Sequence, residues 1–367
     1  MLTSDIFWDA ERAITKEYND IEFELFSRVI EDLCKGEQLD PLSWRVRKLQ
    51  ELSKFSAGWQ KTLEKLTKEH YYQIAEAVID GLMKSARNDN VVMSHVFGDE
   101  KAEAEQVVND SFQKRLTLAV QHCMDDINLT NTQAISSLQK DFLDTVNSAY
   151  VRTLTGTTDL TKALRDSVHS LASRGVTIQY QTQTGKIIHS QLDVAVRRNV
   201  VTTLNQTATE ASIEVAEKMG TDLVEVSAHS GARPSHAVWQ GGIYSLNGKT
   251  KGYRTLAEAT GYGTPEGLCG PNCRHTFWPY FPGFSKQQDH DDIPGIKENN
   301  EIYKRQQQQR AYERKMRECK REYQGAKISG DETRRKAVWH QMAGVREEYL
   351  SFLDHNGLTR FPERERI

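Results

Sequence analysis

Residues 226–249, VSAHSGARPSHAVWQGGIYSLNGK, and residues 261–284, GYGTPEGLCGPNCRHTFWPYFPGF, form the stretch around which this chain is organised. Glycine and proline at this density specify particular turns rather than a regular helix. The sequence therefore predicts an irregular backbone of fixed shape here. The flanking residues, in contrast, have the pattern of long helices.

Length and composition limit the classes of protein to which the chain can belong. With 367 residues it can bury a substantial core, and two or three domains are expected. A mean hydropathy of -0.65 with 27% charged residues predicts a water-soluble protein with much exposed helical surface. The formal net charge of -3 argues against a chain built as a whole to coat nucleic acid.

The sequence has neither the apolar run of a membrane span nor the pattern of a signal peptide. No stretch approaches the roughly 20 apolar residues that a spanning helix needs, and the start, MLTSDIFWDAERAITKEYND, lacks a basic region followed by an apolar one. We therefore expect synthesis in the cytosol. The 5 cysteines are scattered except for one close pair, which fits reduced thiols better than a disulfide framework.

Residues 1–174 have helical periodicity throughout. An apolar residue recurs every three or four positions from Ile14 to Val29, and Pro41 occupies a position where a second helix can begin. The polar sequences RNDN (residues 87–90) and NLTN (residues 128–131) predict breaks between further helices. This part of the chain is therefore predicted to be an all-helical domain.

Residues 175–284 mix strand and helix patterns. VTIQYQTQTGKIIHS, which follows Gly175, alternates and contains a turn-like TGK, so it predicts a β-hairpin. A helix is expected over residues 191–218, followed by a buried strand over residues 223–228. The segment is therefore predicted to be a small α+β domain with irregular Gly/Pro-rich loops.

The remaining residues are predicted to form a linker, residues 285–296, and a C-terminal helical hairpin with a tail, residues 297–367. Apolar residues between Val338 and Phe352 are spaced 4, 3, 4, 3, which suits a coiled-coil-like seam. The predicted fold class is thus mostly α with a small α+β domain. Its order is an N-terminal helical domain, the central α+β domain and the helical hairpin.

Soft metal ligands are concentrated in the sequence CGPNCRH. Cys269, Cys273 and His275 lie within seven residues, and His229 or His236 could be the fourth ligand of a zinc ion. Zinc would brace a loop that is short of regular hydrogen bonds. The alternative is that Cys273 and His275 share one face of a strand and merely pack there. A second close pair of cysteines, which many zinc sites have, is missing.

Polar residues on the loop after residue 228 are candidates for a catalytic site. His229, Arg233 and His236 could bind a ligand or do acid–base work. No nucleophile with an adjacent base, pair of carboxylates at fixed spacing or HExxH motif accompanies them. The alternative is that these side chains hydrogen-bond the irregular backbone, whose buried polar groups need partners.

Two further patterns have simpler explanations than ligand binding. GGIYSLNGKT resembles a phosphate loop but has five residues between Gly242 and Gly248 instead of four, so Asn247 and Gly248 are interpreted as a tight turn. Basic residues of the last helices could contact DNA phosphates. Glutamates alternate with them, which is typical of a solvated helix surface. These basic residues are Arg314, Lys315, Arg317, Lys320 and Arg321.

The glycine-rich stretch resembles the signature of the phage minor capsid proteins, which are related in role to the Mu F-like head morphogenesis proteins. The resemblance covers roughly residues 185–284 and includes the Asn272–Cys273–Arg274–His275 core and the Pro-Tyr-Phe-Pro-Gly ending. In the helical N-terminal part only the general character agrees. The resemblance implies a minor head protein that is made beside the portal protein and incorporated in few copies into the head.

This resemblance implies action by binding rather than a defined reaction. The expected partners are the portal protein, the major capsid or scaffolding protein, and packaged DNA, in support of head assembly and of DNA packaging or ejection. The expected location is the capsid interior of the virion, after assembly in the host cytoplasm. For portal docking we favour residues 1–174, whose Trp8, Trp44, Trp59 and Tyr71 are aromatic types that anchor interfaces. The alternative function is a transferase or hydrolase acting on protein or nucleotide, with His229, Arg233 and His236 in its site.

Overall fold

The secondary structure is mostly helical, as the sequence predicts. The computed structural model describes residues 2–98, 101–181, 185–288 and 292–366. Its helices are α1 (Ser4–Cys34), α2 (Pro41–Glu69), α3 (Tyr71–Phe97), α4 (Lys101–Leu154), α5 (Leu160–Arg174), α6 (Leu192–Lys218), α7 (Leu256–Thr260), α8 (Ile296–Ile328) and α9 (Glu332–Asn356). Its strands are β1 (Thr177–Gln181), β2 (Ile187–Gln191), β3 (Leu223–Val226), β4 (Ile243–Ser245) and β5 (Phe277–Tyr280).

The chain divides into two compact units, each assembled from three stretches of sequence. The first unit comprises Met1–Ile14, Tyr72–Asp126 and Arg197–Gln307, and the second comprises Thr15–Tyr71, Ile127–Val196 and Gln308–Ile367. Among the described residues, no helix has the length and apolar character needed to cross a membrane. The domain division expected from the sequence, with boundaries at residues 174 and 284, stays a prediction.

Side-chain caps fix where several helices begin. The Asp40 carboxylate accepts hydrogen bonds from the backbone N–H groups of Leu42 and Ser43 at the start of α2, with Pro41 in the first turn. Asp159 caps α5 in the same way. At α7, Thr255 and Glu258 form a reciprocal capping pair in which the Thr255 hydroxyl lies 2.7 Å from the Glu258 carboxylate.

The predicted helix breaks at residues 87–90 and 128–131 are wrong. RNDN lies inside α3, and NLTN lies inside α4, which is continuous from residue 101 to residue 154. Asparagine costs a helix interior only about 0.7 kcal/mol relative to alanine, and tertiary contacts offset such a cost. Asn131, for example, is buried and donates to the Thr67 hydroxyl at 3.0 Å in the second unit.

The β-hairpin predicted after Gly175 is confirmed. Strands β1 and β2 pair antiparallel, with Thr177 opposite Gln191 and Gln181 opposite Ile187. Part of the predicted turn, residues 182–184, lies outside the described residues. Helix α6 begins directly after β2 and ends at Lys218, close to the predicted bounds.

The first unit contains a three-stranded antiparallel sheet of order β4-β3-β5. Central strand β3 is buried at all four positions and places Val226 opposite Phe277 of β5. One hydrophobic cluster packs on this sheet and includes the two clustered cysteines. Its buried members are Val224, Val226, Trp239, Leu256, Leu268, Cys269, Cys273 and Phe277.

Helix α9 and the part of α8 from Gln308 onward form the predicted helical hairpin in the second unit. The Tyr312 ring stacks on Tyr349 with centroids 5.5 Å apart and contacts Phe352 at 5.4 Å. The turn between the two helices ends at Asp331, whose carboxylate caps α9 by accepting from the Arg334 backbone N–H. The apolar spacing in the sequence was therefore sufficient to predict both helices and the pairing of their faces.

Two of the aromatic residues that were expected to anchor an interface belong to the core instead. Trp44 and Trp59 have no exposed surface, and the Trp59 indole N–H donates to the Asp32 carboxylate at 2.8 Å. Large aromatic side chains gain most from burial, and the apolar face of α2 provides that burial. An interface role for these two residues is wrong.

Candidate metal centre

Antiparallel pairing of β3 and β5 brings two distant segments together. The chain that leaves β3 at Val226 lies beside the chain that enters β5 at Phe277, and the Ser227 N–H donates to the Thr276 carbonyl at 2.9 Å. The loop with His229 and His236 follows β3, whereas Cys273 and His275 precede β5. The sheet therefore places both halves of the histidine and cysteine pattern in one region of the first unit.

A tight turn after β3 directs His236 into the interior. The Arg233 carbonyl accepts from the His236 N–H at 2.8 Å and from the next N–H along the chain at 2.9 Å. The His236 side chain is 2% exposed, and its Nε2 lies 2.9 Å from the carbonyl oxygen of Glu266. The imidazole is thus held by the backbone through one ring nitrogen.

The CGPNCRH segment is a strained turn that presents Cys273 to the histidines. Cys269 and Asn272 both have positive φ angles, 61° and 59°, which non-glycine residues adopt infrequently. The turn places Cys273 Sγ 3.8 Å from Nδ1 of His236 and 3.8 Å from Nδ1 of His275. Their three ligand atoms lie within 4.8 Å of one another, and all three residues are buried.

His275 is enclosed by aromatic rings and polar side chains. It is 1% exposed, stacks on His229 with ring centroids 4.4 Å apart, and meets the edge of Trp239 at 4.8 Å. Its Nε2 lies 3.0 Å from Oε1 of Gln240. Both Nε2 atoms of the pair His236 and His275 are therefore engaged, while both Nδ1 atoms face Cys273.

Burial keeps the histidines of this cluster neutral. Removal from water lowers the pKa of His275 well below its usual value, with the neighbouring His229, His236 and Arg233 acting in the same direction. Burial also lowers the pKa of His229 to about 4, against a hydrogen bond to the Ser230 carbonyl that raises it. Burial raises the pKa of the Cys273 thiol.

The structure brings together only part of the ligand set that was predicted for zinc. Cys273 and His275 meet as expected, and of the two histidines considered as a further ligand, it is His236 that joins them. His229 stacks on His275 and places its Nδ1 3.1 Å from the Ser230 carbonyl. Cys269 lies in the same core cluster, and its Sγ contacts the carbonyl oxygen of His275 at 3.8 Å.

The three residues predicted as catalytic candidates contact the backbone of the loops around them. Arg233 Nη2 donates to the Pro271 carbonyl at 3.2 Å. His229 contacts the Ser230 carbonyl, and His236 contacts the Glu266 carbonyl. These three contacts join the irregular turns to one another. Only Arg233 and His229 retain partial exposure.

Sequence reasoning missed two residues that position the cluster. Asn205 of α6 is fully buried, and its Nδ2 donates to the carbonyls of Cys273 at 3.1 Å and His275 at 2.8 Å. Gln240 holds His275 through its carboxamide oxygen. An asparagine within the apolar face of a predicted helix was the available signal for Asn205, because such a residue needs a buried partner.

Arg274 anchors the same segment from its opposite side. Its guanidinium lies 4.0 Å from the centre of the Trp8 ring. It also forms a bidentate pair with the Glu11 carboxylate, with Nη2–oxygen distances of 2.6 and 2.8 Å. The Arg274 side chain thus points to the side of the chain opposite Cys273 and His275. Contacts hold the side chains in place on both sides.

The turn after β4 confirms that GGIYSLNGKT is not a phosphate loop. The Asp222 carboxylate accepts from the N–H groups of Asn247, Lys249 and Thr250, each at 3.1 Å. Burial alone would raise the pKa of Asp222, but these bonds and one from the Ser245 hydroxyl outweigh it and lower the pKa. The backbone N–H groups that would have to bind a phosphate are therefore already occupied by the Asp222 carboxylate.

The fold is thus mostly helical with small sheets, and His236, Cys273 and His275 are buried within it. The family model described as phage minor capsid protein 2 matches residues 2–354. The chain therefore belongs to this family of phage structural proteins, as the resemblance in the glycine-rich stretch implied.

Two relatives agree with this assignment. A structural protein of Lactococcus phage LL-H is 26% identical over 236 residues, which cover 61% of this chain and 61% of that protein. A structural protein of Lactococcus phage mv4 is 34% identical over 110 residues, covering 29% of this chain and 86% of the relative. The chain thus spans less than two thirds of the length of the LL-H protein. No solved structure matches the chain.

Proposed function

We propose that this minor capsid protein acts by binding, as a connector between the portal protein and the capsid interior. In this role it supports head assembly and DNA packaging or ejection. Family membership and two relatives that are named structural proteins support the general role. The portal, the major capsid or scaffolding protein, and packaged DNA are the partners that we infer, with assembly in the host cytoplasm and a final place inside the capsid.

The observation that carries a docking role is an exposed apolar stripe on α2. Leu42, Val46 and Leu49 are 54%, 41% and 39% exposed, and their spacing of four and three residues places them on one helix face. The opposite face of the same helix buries Trp44 and Trp59 in the core. A helix that is anchored on one side and apolar on the other fits a helix-in-groove contact with a partner.

The last helices offer less to DNA than their composition suggests. Arg321 is 1% exposed and lies 3.8 Å from the Glu22 carboxylate, while Arg317 pairs with Asp193 at 3.1 Å in the interior of the second unit. These two guanidinium groups hold the fold together and are not accessible to phosphate. We therefore place the portal contact, rather than DNA binding, first among the proposed interactions.

The enzyme alternative loses its main support from the geometry. Of the three candidate residues, His236 is only 2% exposed, and Arg233 Nη2 and His236 Nε2 are engaged with backbone carbonyls. A general acid or base needs contact with its substrate. The burial of these side chains therefore favours a structural use of the cluster.

Co-expression of the full-length chain with the portal protein tests the proposal. We expect the two proteins to co-purify, and we expect Val46→Asp and Leu49→Asp to weaken the association at least tenfold because each places a charge in an apolar contact. Lys54→Asp is the matched control, since it introduces the same side chain at an exposed position on another face of α2. It should leave association unchanged.

Each result has a defined meaning. Absence of association by the full-length chain, together with its absence from purified particles, would overturn the proposed function. Association that survives both stripe substitutions would overturn only the assignment of the contact to α2.

A further inference from the structure

We propose that His236, Cys273 and His275 bind one zinc ion through Nδ1, Sγ and Nδ1. A tetrahedral zinc ion with Zn–S of about 2.3 Å and Zn–N of about 2.1 Å separates sulfur from nitrogen by about 3.6 Å. The two distances from Cys273 Sγ to the histidine nitrogens are both 3.8 Å. Both sulfur–nitrogen spacings are thus close to the required value, and the three donor atoms all lie within 4.8 Å of one another.

Hydrogen bonds set the tautomer of His236 that a metal requires. Its Nε2 lies 2.9 Å from the Glu266 carbonyl oxygen, which can only accept. Nε2 therefore carries the hydrogen, and Nδ1 presents a lone pair to Cys273. A metal-bound histidine usually donates its other ring N–H to a carbonyl or carboxylate in this way.

Hydrogen bonds set the tautomer of His275 in the same way. Gln240 Oε1 accepts the backbone N–H of His229 at 3.1 Å, so this atom of the carboxamide is the oxygen. Because the same oxygen lies 3.0 Å from His275 Nε2, that nitrogen must carry the hydrogen. His275 Nδ1 consequently presents a second lone pair to Cys273.

A thiol alone cannot satisfy this arrangement. Cys273 has a single S–H hydrogen, yet two imidazole lone pairs face its sulfur in a site from which water is largely excluded. At least one buried acceptor would be left without a donor, which costs about 1–3 kcal/mol. A cation between the three atoms satisfies both nitrogens, and zinc displaces the thiol hydrogen as a proton released to solvent.

The donor set indicates zinc and a structural use. One thiolate and two neutral imidazoles suit this ion, with the fourth position left to a water molecule or to Cys269. The ion would join the loop after β3 to the segment before β5, where regular backbone hydrogen bonds are few. This inference is independent of the portal contact.

Metal content and cobalt spectroscopy of the full-length protein test the site. Protein purified without chelator should contain about one zinc per chain, and removal of the metal should lower the melting temperature. Replacement by Co²⁺ should produce a near-ultraviolet thiolate-to-cobalt charge-transfer band and the intense visible bands of four-coordinate cobalt. Packing alone would produce neither band.

Two single variants test the ligands, and a third is the control. Cys273→Ser should abolish the charge-transfer band, and His236→Ala should lower zinc affinity at least tenfold, since each loses a ligand. Cys319→Ser is the control, because it removes a buried thiol from the other unit. A zinc content below one ion per several chains in the wild-type protein would overturn the proposal. So would a wild-type melting temperature that does not respond to added zinc, together with the absence of a cobalt–thiolate band. Both outcomes are measured on the wild-type protein and therefore count even if the variants fail to fold.

Discussion

Asn205 lies 2.8 Å from the His275 carbonyl oxygen and donates to it from the same carboxamide nitrogen that bonds Cys273. This relationship ties helix α6 to the strained turn that presents the histidine and cysteine cluster. Both N–H groups of a fully buried amide are used in this contact. The position of the turn therefore depends on a residue that lies 68 positions earlier in the chain than Cys273.

Asn205→Asp should destabilise the first unit by about 2–5 kcal/mol. The substitution preserves size but replaces two donors with an oxygen that faces two carbonyl oxygens in a buried site, so repulsion and lost hydrogen bonds combine. Urea denaturation followed by circular dichroism measures the effect. Gln206→Glu is the control, because it makes the same change of amide to acid at the exposed neighbouring position. Equal stability of Asn205→Asp and wild type would show that the tether contributes nothing.

The cluster could be predicted from the sequence only in part, for a geometric reason. Cys273 and His275 are separated by one residue and point to the same side of an extended segment, so their proximity is local. The choice between His229 and His236 depends on a turn whose direction is set by the Arg233 carbonyl. Nothing in the local residue pattern specifies which histidine that turn directs inward.

Helix positions were easier to predict than helix ends. The seam between α8 and α9 and the β1–β2 pairing follow from apolar periodicity, which a single sequence displays directly. The continuity of α4 through NLTN depends instead on Asn131 reaching Thr67 of another helix. Contacts of this kind are invisible to local propensity, and they override it.

Gly175→Ala should be strongly destabilising because the position combines an unusual backbone with a close approach. Its φ is +70°, and an added Cβ would lie 2.8 Å from both Arg321 Nε and Glu22 Oε1. Those atoms belong to a buried ion pair that has little freedom to move. We expect a loss of about 2–4 kcal/mol in the free energy of unfolding.

Gly156→Ala separates the cost of backbone strain from the cost of the close approach. Gly156 has nearly the same φ, +69°, but an added Cβ would meet no atom within 4 Å. Its substitution should cost only the backbone strain, about 1–2 kcal/mol. Thermal or urea denaturation of both variants gives the comparison, and equal losses would show that the ion pair yields to the methyl group.

Stability should fall between about pH 4.5 and pH 7 because of Glu225. Burial raises the pKa of this carboxyl to about 7, against hydrogen bonds from the Gln288 backbone and the Trp278 side chain, which lower it. Within that window the folded state retains a proton that the unfolded state has released, so rising pH favours unfolding. The contribution becomes constant about one pH unit above the folded-state pKa, at about 3 kcal/mol for a pKa difference of this size.

Glu225→Gln tests this assignment because glutamine mimics the neutral acid. The free energy of unfolding of the variant relative to wild type should increase as pH rises from 5 to 8, and the difference should level off above pH 8. Glu217→Gln, at an exposed position on α6, controls for the loss of one negative charge. A difference between variant and wild type that is the same at pH 5 and pH 8 would exclude Glu225 as the titrating group.

The domain division predicted from the sequence leads to a test by limited proteolysis. We expect the first cleavage in residues 285–295, where the described residues are mostly exposed and have no regular secondary structure.

We also expect the C-terminal fragment to remain bound after cleavage. In the second unit α8 places Arg321, 1% exposed, 3.8 Å from the fully buried Glu22 of α1, and breaking such a pair costs about 3–5 kcal/mol. Size-exclusion chromatography of the cleaved protein measures retention. A C-terminal fragment that elutes alone and remains helical would show that residues 297–367 are a separate domain, whereas early cleavage within residues 190–219 would overturn the division itself.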